Sequence, residues 1–525
     1  MGQGLPDRSS EAGHVVPISW AGHVARVIGL MMLSGVAFGW LATHAELLFA
    51  DGLRYIGQAK QYASGSWSDV LRHGIDHPVY PLAISAVHGL LGLGDAPEAW
   101  QIAAQSASIA AGVLLAIPLY LLVRELFGDR LAFPSCLLFY VTPLAGHVFA
   151  DTLCESTFLL FWTSGLWAAL RFLRSGQVRY VLPIVIASGL AYLTRPEGLL
   201  LPVALLATIA LSPRWVFAGL GRRGVAILTL LVVGSTCLIG PYVVMRGGLG
   251  TKPSIARLLG SKPKAAAHAV ERQRPLDPDQ SVTKTYVLAG KAVFKAITES
   301  ITWPLVPFAV LGLIVLRPSE ATARQWRLLA VIGAASVLAL VRLHATGGYC
   351  TPRHAMILMV VAIPTAASGF TWLLDRFTGA KPAWNRLGWA AAVVLLVIAQ
   401  RSELLLPVNA GLGGYREAGH WLATHPDDGG RVVDVTGWSQ YYGGREGYTF
   451  ENLIAAPSDR SARWVVAREA HLKGPWEYCA RLRALVGGLK PVAEFRGTSG
   501  DARPTRVYLY DRQPLLAGRP DAVLR

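Results

Sequence analysis

Five stretches of the chain set residues able to do acid–base or phosphate chemistry beside long apolar runs. The first is Glu46–Pro81, which carries the acids Glu46, Asp51, Asp69 and Asp76, the aromatics Tyr55, Tyr62, Trp67 and Tyr80, and the pair His77-Pro78. In a helix, Arg54 and Tyr55 would share a face with Asp51 and orient it. Asp51 is equally a candidate N-cap for a helix starting at Gly52. Pro78 and Pro81 restrict the residues before them. Asp76 and His77 are therefore either a helix-entry turn or the polar wall of a site at a membrane surface.

The second stretch holds Asp151 and Glu155, four residues apart and so on one face if helical. Such carboxylates, with water, bind hard divalent cations; otherwise they are a capping Asp and an interfacial Glu. The third is Thr194–Gly198, where Arg195 and Glu197 form either a salt-bridged turn or an anchor that matches phosphate oxygens bidentately. The fourth sets Tyr349 close to Arg353 and His354. One base at a span end is usually a snorkelling anchor, but two bases after an aromatic and Pro352 fit a phosphate-binding corner better. The fifth is basic: Arg246, Lys252, Arg257, Lys262, Lys264, Arg272 and Arg274. Acids and bases gathered on one face would suit transfer of a group away from a phosphate embedded in the bilayer. A carboxylate takes the proton of the acceptor hydroxyl, and cations stabilise the departing phosphate.

These residues need a membrane scaffold to hold them. Of 525 residues, 53% are apolar and 16% charged, with a mean hydropathy of +0.40. Many apolar runs approach the roughly 20 residues that cross a bilayer. A net charge of +16 would suggest nucleic acid in a soluble protein. Here it reads as Arg-rich loops facing the cytoplasm and anionic lipid, with no nucleic-acid partner. The five cysteines show no paired spacing, so neither a disulfide framework nor a zinc site follows. Residues 1–22 lack a signal-peptide layout and read as a cytoplasmic tail.

Apolar runs recur from residue 23 to 405. If Val79–Gly94 does not cross, every short basic loop falls on one side (Arg124 and Arg130; Arg171, Arg174 and Arg179; Arg214, Arg222 and Arg223; Arg317, Arg324 and Arg327; Arg376, Lys381 and Arg386). If it crosses, all five fall outside, against the positive-inside rule. The expectation is a mainly α, polytopic helical membrane protein of about eleven spans, forming a transmembrane catalytic module over 23–405. Segments 44–100 and 246–300 and a C-terminal domain over 406–525 then share the extracytoplasmic face. Strand-like runs at 431–435, 463–467 and 506–510 between helical stretches Tyr415–Thr424 and Trp476–Val486 make that domain a small α/β unit. It has no Gly-rich phosphate loop.

The order of motifs carries a likeness. It runs from Asp51-Gly52-Leu53-Arg54-Tyr55 and His77-Pro78-Val79-Tyr80-Pro81-Leu82 through Arg124-Glu125-Leu126-Phe127-Gly128, the Asp151/Glu155 turn and Arg195-Pro196-Glu197-Gly198. Over roughly residues 20–375 this resembles the GT-C superfamily of integral-membrane glycosyltransferases, in the branch of the protein O-mannosyltransferases and aminoarabinose transferases. The resemblance implies inverting transfer of a sugar from a polyprenyl-phosphate-linked donor to an acceptor hydroxyl at the outer face of the cell (inner) membrane. The acceptor is a lipid, glycan or protein, and the general base is Asp51. Arg54, Tyr55, Asp76, His77, Tyr80, Arg195, Glu197, Arg257, Tyr349, Arg353 and His354 are the candidate substrate-binding residues. Asp151 and Glu155 resemble the superfamily's second acidic motif, which binds metal in some branches; no cofactor is otherwise fixed, and a divalent cation is the candidate. The alternative reading is a polytopic transporter or a flippase for lipid-linked glycans. It expects broken helices and charges at mid-membrane, whereas this chain places its charges at span ends.

Overall fold

The computed structural model describes residues 18–212, 222–248, 281–316, 322–379, 381–426, 429–497 and 505–517. Its first long helix, α1 (Trp20–Thr43), begins where Ser19 accepts a hydrogen bond from the Gly22 amide at 3.2 Å. At 1.5 Å per residue it is about 36 Å long, enough to cross a bilayer. Trp20, Ile28, Met32 and Val36 lie exposed along it, as a lipid-facing helix requires.

The segment after α1 is largely helical. It folds into α2 (Ala50–Ala63), α3 (Trp67–His73) and α4 (Val79–Leu90). Helix α4 is apolar but has only 12 residues, about 18 Å. Next come α5 (Pro97–Leu114) and α6 (Ala116–Phe127), which together form one long apolar span. Helices α7 (Asp129–Tyr140) and α8 (Pro143–Ala150) meet at a 64° bend, where Pro143 follows Thr142. Then follow α9 (Glu155–Ser175), α10 (Val181–Tyr192), α11 (Leu200–Ala210) and α12 (Arg222–Arg246).

Beyond these the chain forms helix Val282–Ser300, bent by 92° into the stretch Trp303–Val315, and three further long helices: Ala323–Gly347, Met356–Thr378 and Pro382–Ala399. By length and composition six described helices can cross a membrane, eight if each bent pair is one span. Helices α9, α10 and α11 occupy the three remaining apolar runs of the eleven.

Polar residues tie the bundle at the basic-loop end. Glu125, on α6, has a side chain only 5% exposed and accepts from Arg171 at 2.9 Å, Arg174 at 3.1 Å and Gln325 at 3.0 Å. A buried carboxylate needs such partners. Small residues close the helix contacts, as they do where lipid replaces water as the solvent. Helices Val306–Val315 and Met356–Thr378 touch at Gly312 and Gly369. A Cβ on Gly369 would overlap the Phe308 carbonyl and the Gly312 backbone, and one on Gly312 would overlap Thr365.

The C-terminal part is a mixed five-stranded sheet in the order β2-β1-β3-β5-β4, from β1 (Arg431–Val433), β2 (Gly447–Tyr448), β3 (Ala462–Arg468), β4 (Ala493–Arg496) and β5 (Arg506–Asp511). Strand β1 pairs in parallel with β2 and β3, while β5 runs antiparallel to β3 and β4. Three of the strands and helices Gly414–Thr424 and Glu477–Val486 fall where the sequence pattern places them. This unit docks on the membrane part through one shared apolar core. Leu47, Leu48, Ile56, Tyr80 and Trp100 pack there with Tyr415, Trp438, Tyr442 and Trp464. Tyr441 and Tyr442 add hydroxyl bonds of 2.6 Å each to the Pro97 carbonyl and the Gln101 side chain.

The glycine contact yields a direct test. Gly369→Ala is expected to lower stability by about 1–3 kcal/mol through overpacking, read as a fall in the thermal midpoint of the detergent-solubilised protein. Gly39→Ala, at a position on α1 with nothing within 4 Å, is the matched substitution and is expected to leave the midpoint unchanged.

Candidate active site

Helix α2 starts without a cap of its own. Phe49 precedes it in extended backbone, and the Phe49 amide donates to Asp151 Oδ1 at 2.9 Å. Asp51 is therefore the second residue of the helix rather than its N-cap. Its charge suits the positive end of the helix dipole, and its oxygens are free to face side chains. Gly52 beside it has no room for a Cβ, which would collide with the Thr152 side chain. This close approach seats α2 on the turn between α8 and α9.

Asp51 lies in a row of alternating charge. Arg54 Nη1 donates to Asp51 Oδ1 at 3.0 Å, and Arg54 Nε donates to Asp76 Oδ2 at 3.0 Å. Arg353 Nη2 donates to the other Asp51 oxygen at 2.7 Å, and its Nη1 lies 3.7 Å from Glu155 Oε1. Arg195 donates to Glu155 Oε1 and reaches Glu197 through two nitrogens, at 2.9 and 3.3 Å. The row thus reads Asp76, Arg54, Asp51, Arg353, Glu155, Arg195, Glu197. The Asp76 and Glu155 side chains are only 1% and 4% exposed, and that of Glu197 is 41% exposed. Burial alone would raise the Asp51 pKa, but the Arg353 and Arg54 guanidiniums outweigh it and hold the carboxyl well below the usual range.

Arg353 also lies over the Phe49 ring, 4.6 Å from its centroid. His354 Nδ1 bonds the Thr351 hydroxyl at 2.7 Å, and Tyr349, half exposed, meets its ring edge-on. A small, partly open cleft runs beside Arg353 and His354. Its polar end is Arg195, Glu197, Arg353, His354 and Glu155, and its apolar wall is Phe158, Leu159, Met356 and Ile357.

Not every expected residue joins this row. Tyr80 is fully buried behind α2, with its hydroxyl bonded to Ser108 at 2.7 Å and the Ala104 carbonyl at 3.1 Å. Tyr55 packs edge-on against it and bonds Cys154 Sγ at 3.2 Å. Both support α2 from the core side. His77 is buried between the rings of Tyr192 and Tyr242. Arg257 lies outside the described residues.

Asp151 and Glu155 do not share a helix: Asp151 ends α8 in extended backbone and Glu155 opens α9. Nor do they face one cation. Asp151 accepts from the Phe49 and Thr152 amides at 2.9 and 2.7 Å and from Asn409 Nδ2 at 3.0 Å, whereas Glu155 faces the two arginines. Burial pushes the Asp151 carboxyl up to about 6, with the Phe49 and Thr152 amides drawing it back. Among the described residues no group of three or more His, Cys, Asp or Glu could hold a metal ion. The donor set at Asp151 and Glu155 therefore does not fit a shared divalent cation. Sequence reasoning missed Asn409 and the apolar wall, because neither carries a local signal.

Residues 76–239 match a family profile described as dolichyl-phosphate-mannose-protein mannosyltransferase. No curated protein matches in sequence. Among solved structures, the chain is similar to the Archaeoglobus fulgidus oligosaccharyltransferase crystallised with Zn and sulfate. That match has a TM-score of 0.54 and 13% identity over 90% of this chain and 72% of that one. It is also similar to ArnT from Cupriavidus metallidurans bound to undecaprenyl phosphate, with a TM-score of 0.53 and 14% identity over 95% of this chain and 100% of that one. The fold is that of the GT-C membrane glycosyltransferases, as the motif order suggests. The profile and the fold together support a membrane glycosyltransferase of the GT-C type.

Asp51 neutralises two guanidiniums, so Asp51→Asn is expected to cost on the order of 2 kcal/mol at neutral pH. The sign follows from its depressed folded pKa. The contribution is present above the ordinary carboxylate value of about 3.9 and is lost as pH falls below it towards the folded pKa. Thermal melts of both proteins across pH are expected to differ at pH 7 and to converge in strong acid.

Proposed function

We propose that the chain moves a sugar from a polyprenyl-phosphate-linked donor to an acceptor hydroxyl with inversion, on the extracytoplasmic face of the cell membrane. The observation that carries this reading is that Arg353, which donates to Asp51, also lines a small cleft with an arginine-bearing polar end and an apolar wall. Such a cleft suits a phosphate joined to a hydrocarbon chain, and the crystallised ArnT held undecaprenyl phosphate. The Asp51 carboxylate takes the proton of the acceptor hydroxyl as its oxygen bonds to the anomeric carbon. The bond from that carbon to the phosphate oxygen breaks on the opposite face. Negative charge growing on the phosphate is met by Arg353, Arg195 and His354.

The proposed reaction includes an exchange of partners. A carboxylate held by two guanidiniums is a weak base. The donor phosphate competes with Asp51 for Arg353, and drawing Arg353 away strengthens the base only when donor is present. Glu197 lines the cleft and the half-exposed Tyr349 packs beside His354, where an acceptor or sugar hydroxyl enters.

Asp51→Asn is expected to reduce transfer from a polyprenyl-phosphate sugar about 10²- to 10⁴-fold while the protein remains folded. Full activity in that variant removes Asp51 as the base. Mass spectrometry of lipid co-purified with the protein is expected to find a polyprenyl phosphate. The sidedness has its own measurement. An impermeant maleimide added to intact cells is expected to label Glu446→Cys, in the C-terminal domain, and to spare Arg376→Cys, at the basic-loop end.

A further inference from the structure

We propose that Asn409, in the linker between the membrane helices and the C-terminal sheet, is a positioning residue for Asp51. This rests on the reading of Asp51 as the base. Asn409 has φ of 54°, one of two described non-glycine residues with positive φ. That conformation is costly for most side chains and least so for Asn. It turns the Asn409 amide onto two acceptors, the Leu47 carbonyl at 2.8 Å and Asp151 Oδ2 at 3.0 Å. The other Asp151 oxygen accepts from the Phe49 amide at 2.9 Å, at the start of α2 and two residues before Asp51. The helix that carries the base thus borrows its cap from Asp151, and Asp151 is held by a residue 258 positions away in sequence.

Neighbouring bonds strap the same few residues to the same linker. The Glu46 amide donates to the Val408 carbonyl at 3.1 Å, the Gly413 amide donates to Glu46 Oε2 at 2.9 Å, and Arg416 donates to the Ala45 carbonyl at 3.2 Å. With Gly52 seated against Thr152, a shift of the Asp151 turn carries α2 with it. One consequence is a task for the C-terminal domain, since docking it completes the N-terminus of the α2 helix. Another is that Asp151 serves this strap rather than a cation.

Asn409→Gly isolates the amide, because glycine keeps the positive φ at least cost. A base displaced by about 1 Å loses on the order of a hundredfold in rate. We expect kcat to fall by that order while KM for the donor does not rise, since no residue lining the cleft is substituted and a displaced Asp51 competes less for Arg353. Hydrogen exchange over residues 44–63 is expected to quicken about tenfold as the helix start opens locally, with protection in β3 unchanged. Original kcat and original exchange in α2 overturn the proposal, and so does loss of protection throughout the chain.

A second pair of variants covers the case in which Asn409→Gly does not fold. Asn409→Asp sets two carboxylates face to face and is expected to be impaired, as is Asp151→Asn. Combined, they reverse the direction of the bond to position 151, with the new Asn amide donating to the new Asp, while the bond to the Leu47 carbonyl stays unmade. The combination is expected to recover at least part of kcat, and no recovery overturns the proposal. If the original chain transfers no sugar from any polyprenyl-phosphate donor, the functional reading fails. The exchange measurement then still decides whether Asn409 holds α2.

Discussion

Charges buried at the edge of a membrane must be paired or they do not stay charged. That constraint organises the site. Asp76, Arg54, Asp51, Arg353, Glu155, Arg195 and Glu197 alternate in sign, and each inner member touches an opposite charge on both sides. The members come from α2, from the turn before α4, from the start of α9, from the turn after α10 and from the entry to helix Met356–Thr378. Removing one leaves a neighbour desolvated and uncompensated, which costs more than an exposed ion pair contributes. The row therefore fixes where five segments meet, and the helices behind them can be simple apolar rods.

Those rods explain why much of the fold is legible from sequence. Apolar runs and the asymmetry of short basic loops define helices and their ends without knowledge of any contact. The same reasoning places Asp51, Glu155, Arg195, Arg353 and His354 at span ends, and the structure brings them together. It does not reveal which guanidinium meets which carboxylate. Arg54 with Asp51 and Arg195 with Glu197 are local pairs; Arg353 lies 302 residues from its partner Asp51, and Arg195 lies 40 from Glu155.

The residues that depart from expectation do so for one reason. Tyr55 and Tyr80 sit in the candidate stretch by sequence but are buried against Cys154 and α5, in the apolar core that α2 and α4 share with the C-terminal domain. Periodicity says that a residue faces a core, not which core. Asp151 looks like a cation ligand when read beside Glu155. The turn between α8 and α9 sends the two carboxylates to different partners. Asn409 has nothing local to mark it, since a single polar residue in a linker acquires meaning only from where the linker lands.

A count of charges along the row bears on how an anionic donor enters. Four carboxylates alternate with three guanidiniums, so no arginine in the row is left without a carboxylate, and the row carries a net negative charge. A phosphate cannot simply be added to such an arrangement. It is held only if it takes a guanidinium that a carboxylate now holds, and the cleft exposes Arg353 and Arg195 for that exchange. Arg195 is gripped by Glu155 and by two contacts to Glu197, whereas Arg353 makes one close bond to Asp51 and a longer approach to Glu155. Arg353 is the easier of the two to recruit, and the carboxylate it leaves is the one on the proposed reaction path. On this reading, the pairing that lets Asp51 stay charged also restrains it as a base until a phosphate arrives.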